Sequence, residues 1–180
     1  MKINSKEARA SLDANNYVVF RNYATPPDGS LFDKAYGPKS EVLDDSGFDY
    51  GPMRIMPEYF FEDENVSNFY NECSDTYGVK TTALLIEGNV WGKGTDKHSD
   101  LSDVLHWQCS GKSEWTFYDN PKEGSEIKVI LSAGDIIWFK KDQDHSVQNL
   151  ESKRSIIFMS SNILKDFLVK KYAAAGREFV

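Results

Sequence analysis

The sequence predicts a mainly β fold, a sandwich or barrel of short strands with helices flanking it at the start, middle and end of the chain. Three observations predict it. Between about residues 79 and 160 the chain breaks into eight or so short apolar or alternating segments, the length and spacing of strands. The segments are separated by GN, GKG, SG, DNPKEG and SAGD, which all interrupt regular structure. Aromatic residues make up 13% of the chain, which suits a β-sandwich with a lined pocket.

Taken in order, Ser5 to Ala14 reads as a short helix with Ser5 at its N-cap. YVVFRNY (Tyr17–Tyr23) is β-branched and aromatic, so it reads as a strand. Pro26, Pro27, Asp28 and Gly29 then force a loop. From there to Gly51 the chain is rich in Gly, Pro and Asp without clear periodicity, as lids and binding loops often are. MRIMPEYF holds a short strand. Val66, Phe69, Tyr70 and Cys73 recur at helical spacing, which predicts a helix over Glu62–Tyr77 closed by Gly78. The expected strands after it are Lys80–Glu87, Thr95–Ser99, Val104–Cys109, Ser113–Tyr118, Ile127–Leu131, Ile136–Phe139, His145–Asn149 and Ser155–Ser160. A last helix is expected over Ile163–Ala175. No repeat or linker divides the 180 residues, so one domain is expected over 1–180.

Net charge is -7, and no stripe of Lys or Arg stands out, which argues against nucleic-acid and anionic-membrane partners. Cys73 and Cys109 are too few for a disulfide framework, and reduced thiols are expected. The N-terminal stretch lacks the apolar run of a signal peptide, and no window is long and apolar enough for a membrane span. A cytoplasmic protein is expected.

Only three histidines are present, and His98 stands two residues before Asp100. On a strand, residues i and i+2 share a face, so these two side chains point the same way. A third ligand from a neighbouring strand, His145, would complete two histidines and one carboxylate, the set that holds Fe(II) in non-haem oxygenases. With 28 acids in 180 residues, an acid two places after a histidine means little by itself. The wider spacing is more specific. Five residues separate Gly92 from His98, six separate Val104 from Gly111, Gly134 opens a second segment, and three separate His145 from Asn149.

In these positions the chain resembles the cupin superfamily. It departs from the family pattern at Asp100 (usually a second histidine), Val104 (usually an acid), Lys140 (proline) and Asp142 (glycine). The surviving ligands His98, Asp100 and His145, with DVLHWQCSGKSEWTFYD after them, resemble the JmjC-like branch of Fe(II)- and 2-oxoglutarate-dependent oxygenases. The resemblance covers roughly Tyr17 to Ser160 and is sharp from Gly92 onward. It implies a double-stranded β-helix, the cupin or jelly-roll barrel, with its core at about 79–160. It also implies Fe(II) on His98, Asp100 and His145, and 2-oxoglutarate as cosubstrate. The basic residue expected two places after the turn glycine is replaced by Ser113. The anchor for the distal carboxylate is therefore expected at Arg154, nine residues after His145 as in another branch of these oxygenases, or at Lys112. His106 shares the parity of His98 and is either a hydrogen-bonded core histidine or a residue lining the pocket beside the metal. The implied activity is hydroxylation of a small molecule or a peptide or protein side chain, with the loop Tyr23–Gly51 as lid. A homodimer through the flanking strands and helices is compatible with the resemblance. The alternatives are a metal-dependent cupin without 2-oxoglutarate (an isomerase, lyase or dioxygenase), which Ser113 favours, and a non-catalytic ligand-binding cupin.

Overall fold

Ser5 opens the first helix by accepting the Ala8 amide on its Oγ, and α1 spans Lys6–Asn15 with Ala8 and Leu12 buried. Asn16 ends it in the left-handed region at φ 61, and β1 (Tyr17–Phe20) follows. The computed structural model describes residues 1–36, 53–78, 81–88, 94–118 and 125–160. The expected C-terminal helix lies outside these residues, as do 37–52 of the expected lid.

The stretch after Tyr23, which reads as irregular in sequence, contains α2 (Gly29–Tyr36). Asp28 is the reason: its Oδ1 accepts the Ser30 amide and its carbonyl accepts the Leu31 amide, so the apparent breaker starts a helix. β2 (Met53–Ile55) and a 3-10 turn over Glu58–Glu62 lead to α3 (Glu64–Tyr77). This helix starts two residues later than the spacing predicts because Asp63 caps it, taking the amides of Asn65 and Val66. Gly78 closes it at φ 68.

The remaining strands are β3 (Thr82–Gly88), β4 (Thr95–His98), β5 (Val104–Ser110), β6 (Lys112–Tyr118), β7 (Glu126–Ser132), β8 (Ile136–Phe139), β9 (His145–Asn149) and β10 (Lys153–Met159). They form two antiparallel sheets, one of six strands in the order β1-β8-β5-β10-β3-β2 and one of four in the order β4-β9-β6-β7. This is the mainly β, jelly-roll arrangement that the sequence predicts, with helices on its flank.

Two apolar layers follow from strand alternation. Between the sheets lie Leu84, Trp115, Phe117, Leu131, Ile137 and Phe139. On the outer side of the six-stranded sheet, Leu85, Leu105, Trp107, Ile156 and Phe158 pack with residues of α1 and α3, Phe69 meeting both Trp107 and Phe158 edge-on. So β10 presents Ile156 and Phe158 to the outer layer and Ile157 and Met159 to the space between the sheets. β4 is an edge strand. Among the described residues it pairs only with β9, and the register shifts between Thr95 and His98. No helix among the described residues is long and apolar enough to cross a membrane.

Candidate metal and carboxylate site

β4 ends and β9 begins at the same place, so His98 and His145 are cross-strand partners. Their rings lie 4.3 Å apart. Asp100 follows just past the end of β4 and turns back to the same side. Its Oδ1 lies 3.9 Å from His98 Nε2, and its Oδ2 lies 3.8 Å from His145 Nε2. One ligand atom from each of the three residues lies within 4.8 Å of the others. Neighbouring ligands of an ion at about 2.1 Å sit roughly 3 Å apart. A cation would therefore draw the two histidine–aspartate pairs inward by about an ångström.

The donor set suits a divalent cation. His98 Nδ1 lies 2.7 Å from the Asp96 carbonyl, and His145 Nδ1 lies 2.9 Å from the Gln143 carbonyl. A carbonyl can only accept, so both Nδ1 atoms carry a proton and both Nε2 atoms face Asp100. Burial behind Phe139, Phe117 and Trp115 pushes His145 down to about 4, with the Gln143 carbonyl opposing, so the imidazole is neutral. Burial also raises the Asp100 carboxyl, while His98 lowers it. Asp142 donates its amide to the Asp100 carbonyl at 3.1 Å. It sits at φ 63, so an aspartate takes the left-handed position where the family pattern has glycine. Val104, at the place of the usual acid, is buried among the apolar side chains between the sheets.

Deeper in the same interior lies a polar group that the sequence reading passed over. Lys153 is only 6% exposed, and its Nζ stands 6.0 Å from the centre of the Trp115 ring. Among the described residues no acceptor or carboxylate meets its ammonium. Burial pulls it down to about 8. Beside it are His106, whose ring meets Trp115 edge-on at 4.7 Å, and the buried Gln108, Ser113 and Ser155. His106 is held well below its ordinary value, by burial first and then by the Lys153 charge.

The two expected anchors lie elsewhere. Arg154 projects to the outer side of the sheet, where its Nη2 meets Asp33 Oδ1 at 2.6 Å and its Nε meets Glu87 Oε1 at 2.9 Å. It lines an outer cavity of about 310 Å³ with Pro27, Phe32 and Cys109. Lys112 is half-exposed and paired with Glu151 at 3.0 Å. Strand alternation explains both, since neighbours on a strand face opposite ways. His106 is buried in the interior, with its Nε2 3.4 Å from Gln108 Oε1. Ser113 is no gap: its hydroxyl donates to Gln108 Oε1 at 2.9 Å and accepts the Trp115 indole N–H at 3.1 Å.

No protein-family model and no curated protein matches the chain. Solved structures do. The ribosomal oxygenase YcfD from Escherichia coli, in a complex with cobalt and succinic acid, is similar at 14% identity and a TM-score of 0.57, over 93% of this chain and 56% of that one. A cupin superfamily protein from Desulfitobacterium hafniense matches at 15% identity and TM-score 0.36, over 44% of this chain and 65% of that one. Bacillus subtilis oxalate decarboxylase matches at 16% identity and TM-score 0.38, over 44% of this chain and 20% of that one. The chain spans less than two thirds of the length of each. At these identities the likeness is one of fold.

Proposed function

We propose that this chain is an Fe(II)- and 2-oxoglutarate-dependent oxygenase that hydroxylates a small molecule or a protein side chain. One observation carries the reading: two histidines and a carboxylate converge at the edge of an interior that also contains a buried ammonium, unpaired among the described residues. The first set is a facial triad for Fe(II). An unpaired buried charge is costly, so it needs an anionic partner to be supplied. A dicarboxylate with its oxo-acid end on the metal and its far carboxylate on Lys153 answers both needs. The like-folded oxygenase with cobalt and succinic acid is consistent with this, succinate being 2-oxoglutarate less one carbon.

In this reading His98, Asp100 and His145 hold the iron, and Lys153 takes the place expected of Arg154 or Lys112. Bound together, Fe(II) and 2-oxoglutarate supply the oxidation: O2 is consumed, the oxo acid loses CO2 to give succinate, and one oxygen atom enters a C–H bond of the substrate. The chain's own work is to position and to exclude water. The carbonyls of Asp96 and Gln143 fix the two imidazoles with Nε2 toward the metal. Trp115, Phe117 and Phe139 wall the interior.

The test is an anaerobic optical titration of the Fe(II)-loaded protein with 2-oxoglutarate. A visible charge-transfer band that saturates at one equivalent is expected. Bound iron without a band leaves a metal-dependent cupin of another reaction class. No iron binding leaves a ligand-binding barrel.

A further inference from the structure

Four interior side chains form a chain whose two ends are chemically fixed. At one end the Trp115 indole, which can only donate, gives its N–H to Ser113 Oγ at 3.1 Å. At the other end the Ser110 carbonyl, which can only accept, takes the Gln108 side-chain N–H at 2.7 Å. Ser113 therefore passes its own proton to Gln108 Oε1 at 2.9 Å, and both ends agree on which way the Gln108 amide faces. That same Oε1 faces His106 Nε2 at 3.4 Å. A carbonyl oxygen there requires Nε2 to carry the proton. Nδ1 is then left as a bare lone pair, and it is buried without a hydrogen-bond partner.

A buried acceptor with no donor thus lies close enough to feel the charge of a buried ammonium that, among the described residues, has no acceptor. Both stand against the same Trp115 ring. Neither is satisfied alone, and each missing partner costs about 1–3 kcal/mol. The four-carbon stem of lysine lets the ammonium turn toward the imidazole.

We infer that His106 is a positioning residue for the carboxylate subsite: its Nδ1 accepts one N–H of Lys153 and aims the other two at the distal carboxylate of the bound oxo acid. The inference rests on the carboxylate-anchor reading of Lys153 given above. A neutral imidazole suits the task better than an acid would. It orients the ammonium without cancelling the charge that the ligand needs. Gln108, Ser113 and Trp115 act through His106 by holding its tautomer.

The first experiment needs neither metal nor oxo acid: long-range proton–nitrogen correlation spectra of the metal-free protein. The expected result is the Nε2–H tautomer at His106, with an Nδ1 resonance that moves toward the value of an unbonded acceptor in Lys153→Met. An Nδ1–H tautomer, or an Nδ1 resonance unmoved by Lys153→Met, overturns the inference. The second compares affinities on the Fe(II) protein for 2-oxoglutarate and for 2-oxobutyrate, which lacks the distal carboxylate. His106→Leu should weaken 2-oxoglutarate about tenfold, the size of one lost charge-assisted hydrogen bond, with iron and 2-oxobutyrate unchanged. His106→Asn, which keeps an acceptor near the same place, should recover most of the loss. Equal losses for both oxo acids mean a merely structural histidine and overturn the inference. If the wild type binds iron and no 2-oxoglutarate, the cosubstrate reading fails, and the nitrogen spectra alone decide the pairing of His106 with Lys153.

Discussion

At the scale of single residues, Lys153 is a liability to the fold and an asset to the site. Burial brings its ammonium from an ordinary 10.5 down to about 8, so at pH 7 the folded protein carries a desolvated charge that the unfolded chain does not. The shift corresponds to about 3 kcal/mol of lost stability. The unfolded chain binds more protons between about pH 8 and 10.5, so stability should rise across that window, and the penalty is fully present below it. Lys153→Met should therefore stabilise the protein at pH 7 by about 1–3 kcal/mol, read as a higher denaturant midpoint, while 2-oxoglutarate affinity falls by more than tenfold. Arg154→Ala should do the reverse, costing about 1 kcal/mol of stability through its lost pairs with Asp33 and Glu87 and leaving 2-oxoglutarate affinity unchanged. In the wild type the affinity should weaken as pH rises above about 8, because the anchor must be protonated to hold a carboxylate. The choice between Lys153 and Arg154 was not legible in the sequence. Ile156, Ile157 and Phe158 are apolar on both faces of β10, so alternation has no polar side to fix its parity. The convergence of His98, Asp100 and His145 was legible, because spacing on strands carries it.

At the scale of elements, the strands after Gly78 were legible to within a residue or two, since Gly, Pro and Asp clusters bound each apolar run, whereas β1 stops at Phe20, three residues short of the expected Tyr23. α2 was not legible, because it is eight residues long and begins at an Asp-Gly pair that reads equally as a turn. The turn between β5 and β6 shows why a motif glycine stands where it does. Gly111 sits at φ 64, and a Cβ there would come within 2.0 Å of the Ser152 carbonyl. That close approach sets the start of β10 against the hairpin and so sets where Lys153 enters the interior. Gly111→Ala should cost more than about 2 kcal/mol in chemical denaturation and weaken 2-oxoglutarate as well, although the residue touches no ligand. Asp142→Gly, by contrast, should be tolerated, since its φ of 63 is one that glycine adopts freely.

At the scale of the molecule, two apolar layers do different work. The outer one, between the six-stranded sheet and the helices, is apolar throughout and borders the cavity beside Arg154. The inner one, between the sheets, is interrupted by the buried polar side chains His106, Gln108, Ser113 and Lys153, which the proposed function assigns to a ligand. A cation at His98, Asp100 and His145 should stabilise the whole fold by mass action, about 2.7 kcal/mol at a hundred times its Kd. For a chain of this size that is a rise of several degrees in Tm, and His145→Ala should erase it. The edge position of β4 gives this cation a second consequence. Four residues with a slipped register and one neighbour make a weak ladder. The same strand supplies His98 and leads directly to Asp100. Without an ion it should breathe, opening and closing far more often than the sheet behind it, and its amides should trade hydrogen for deuterium early. An ion held by His98 and His145 would stitch this strand to β9, so the proposed metal site predicts that the edge of the barrel becomes rigid only when the metal binds.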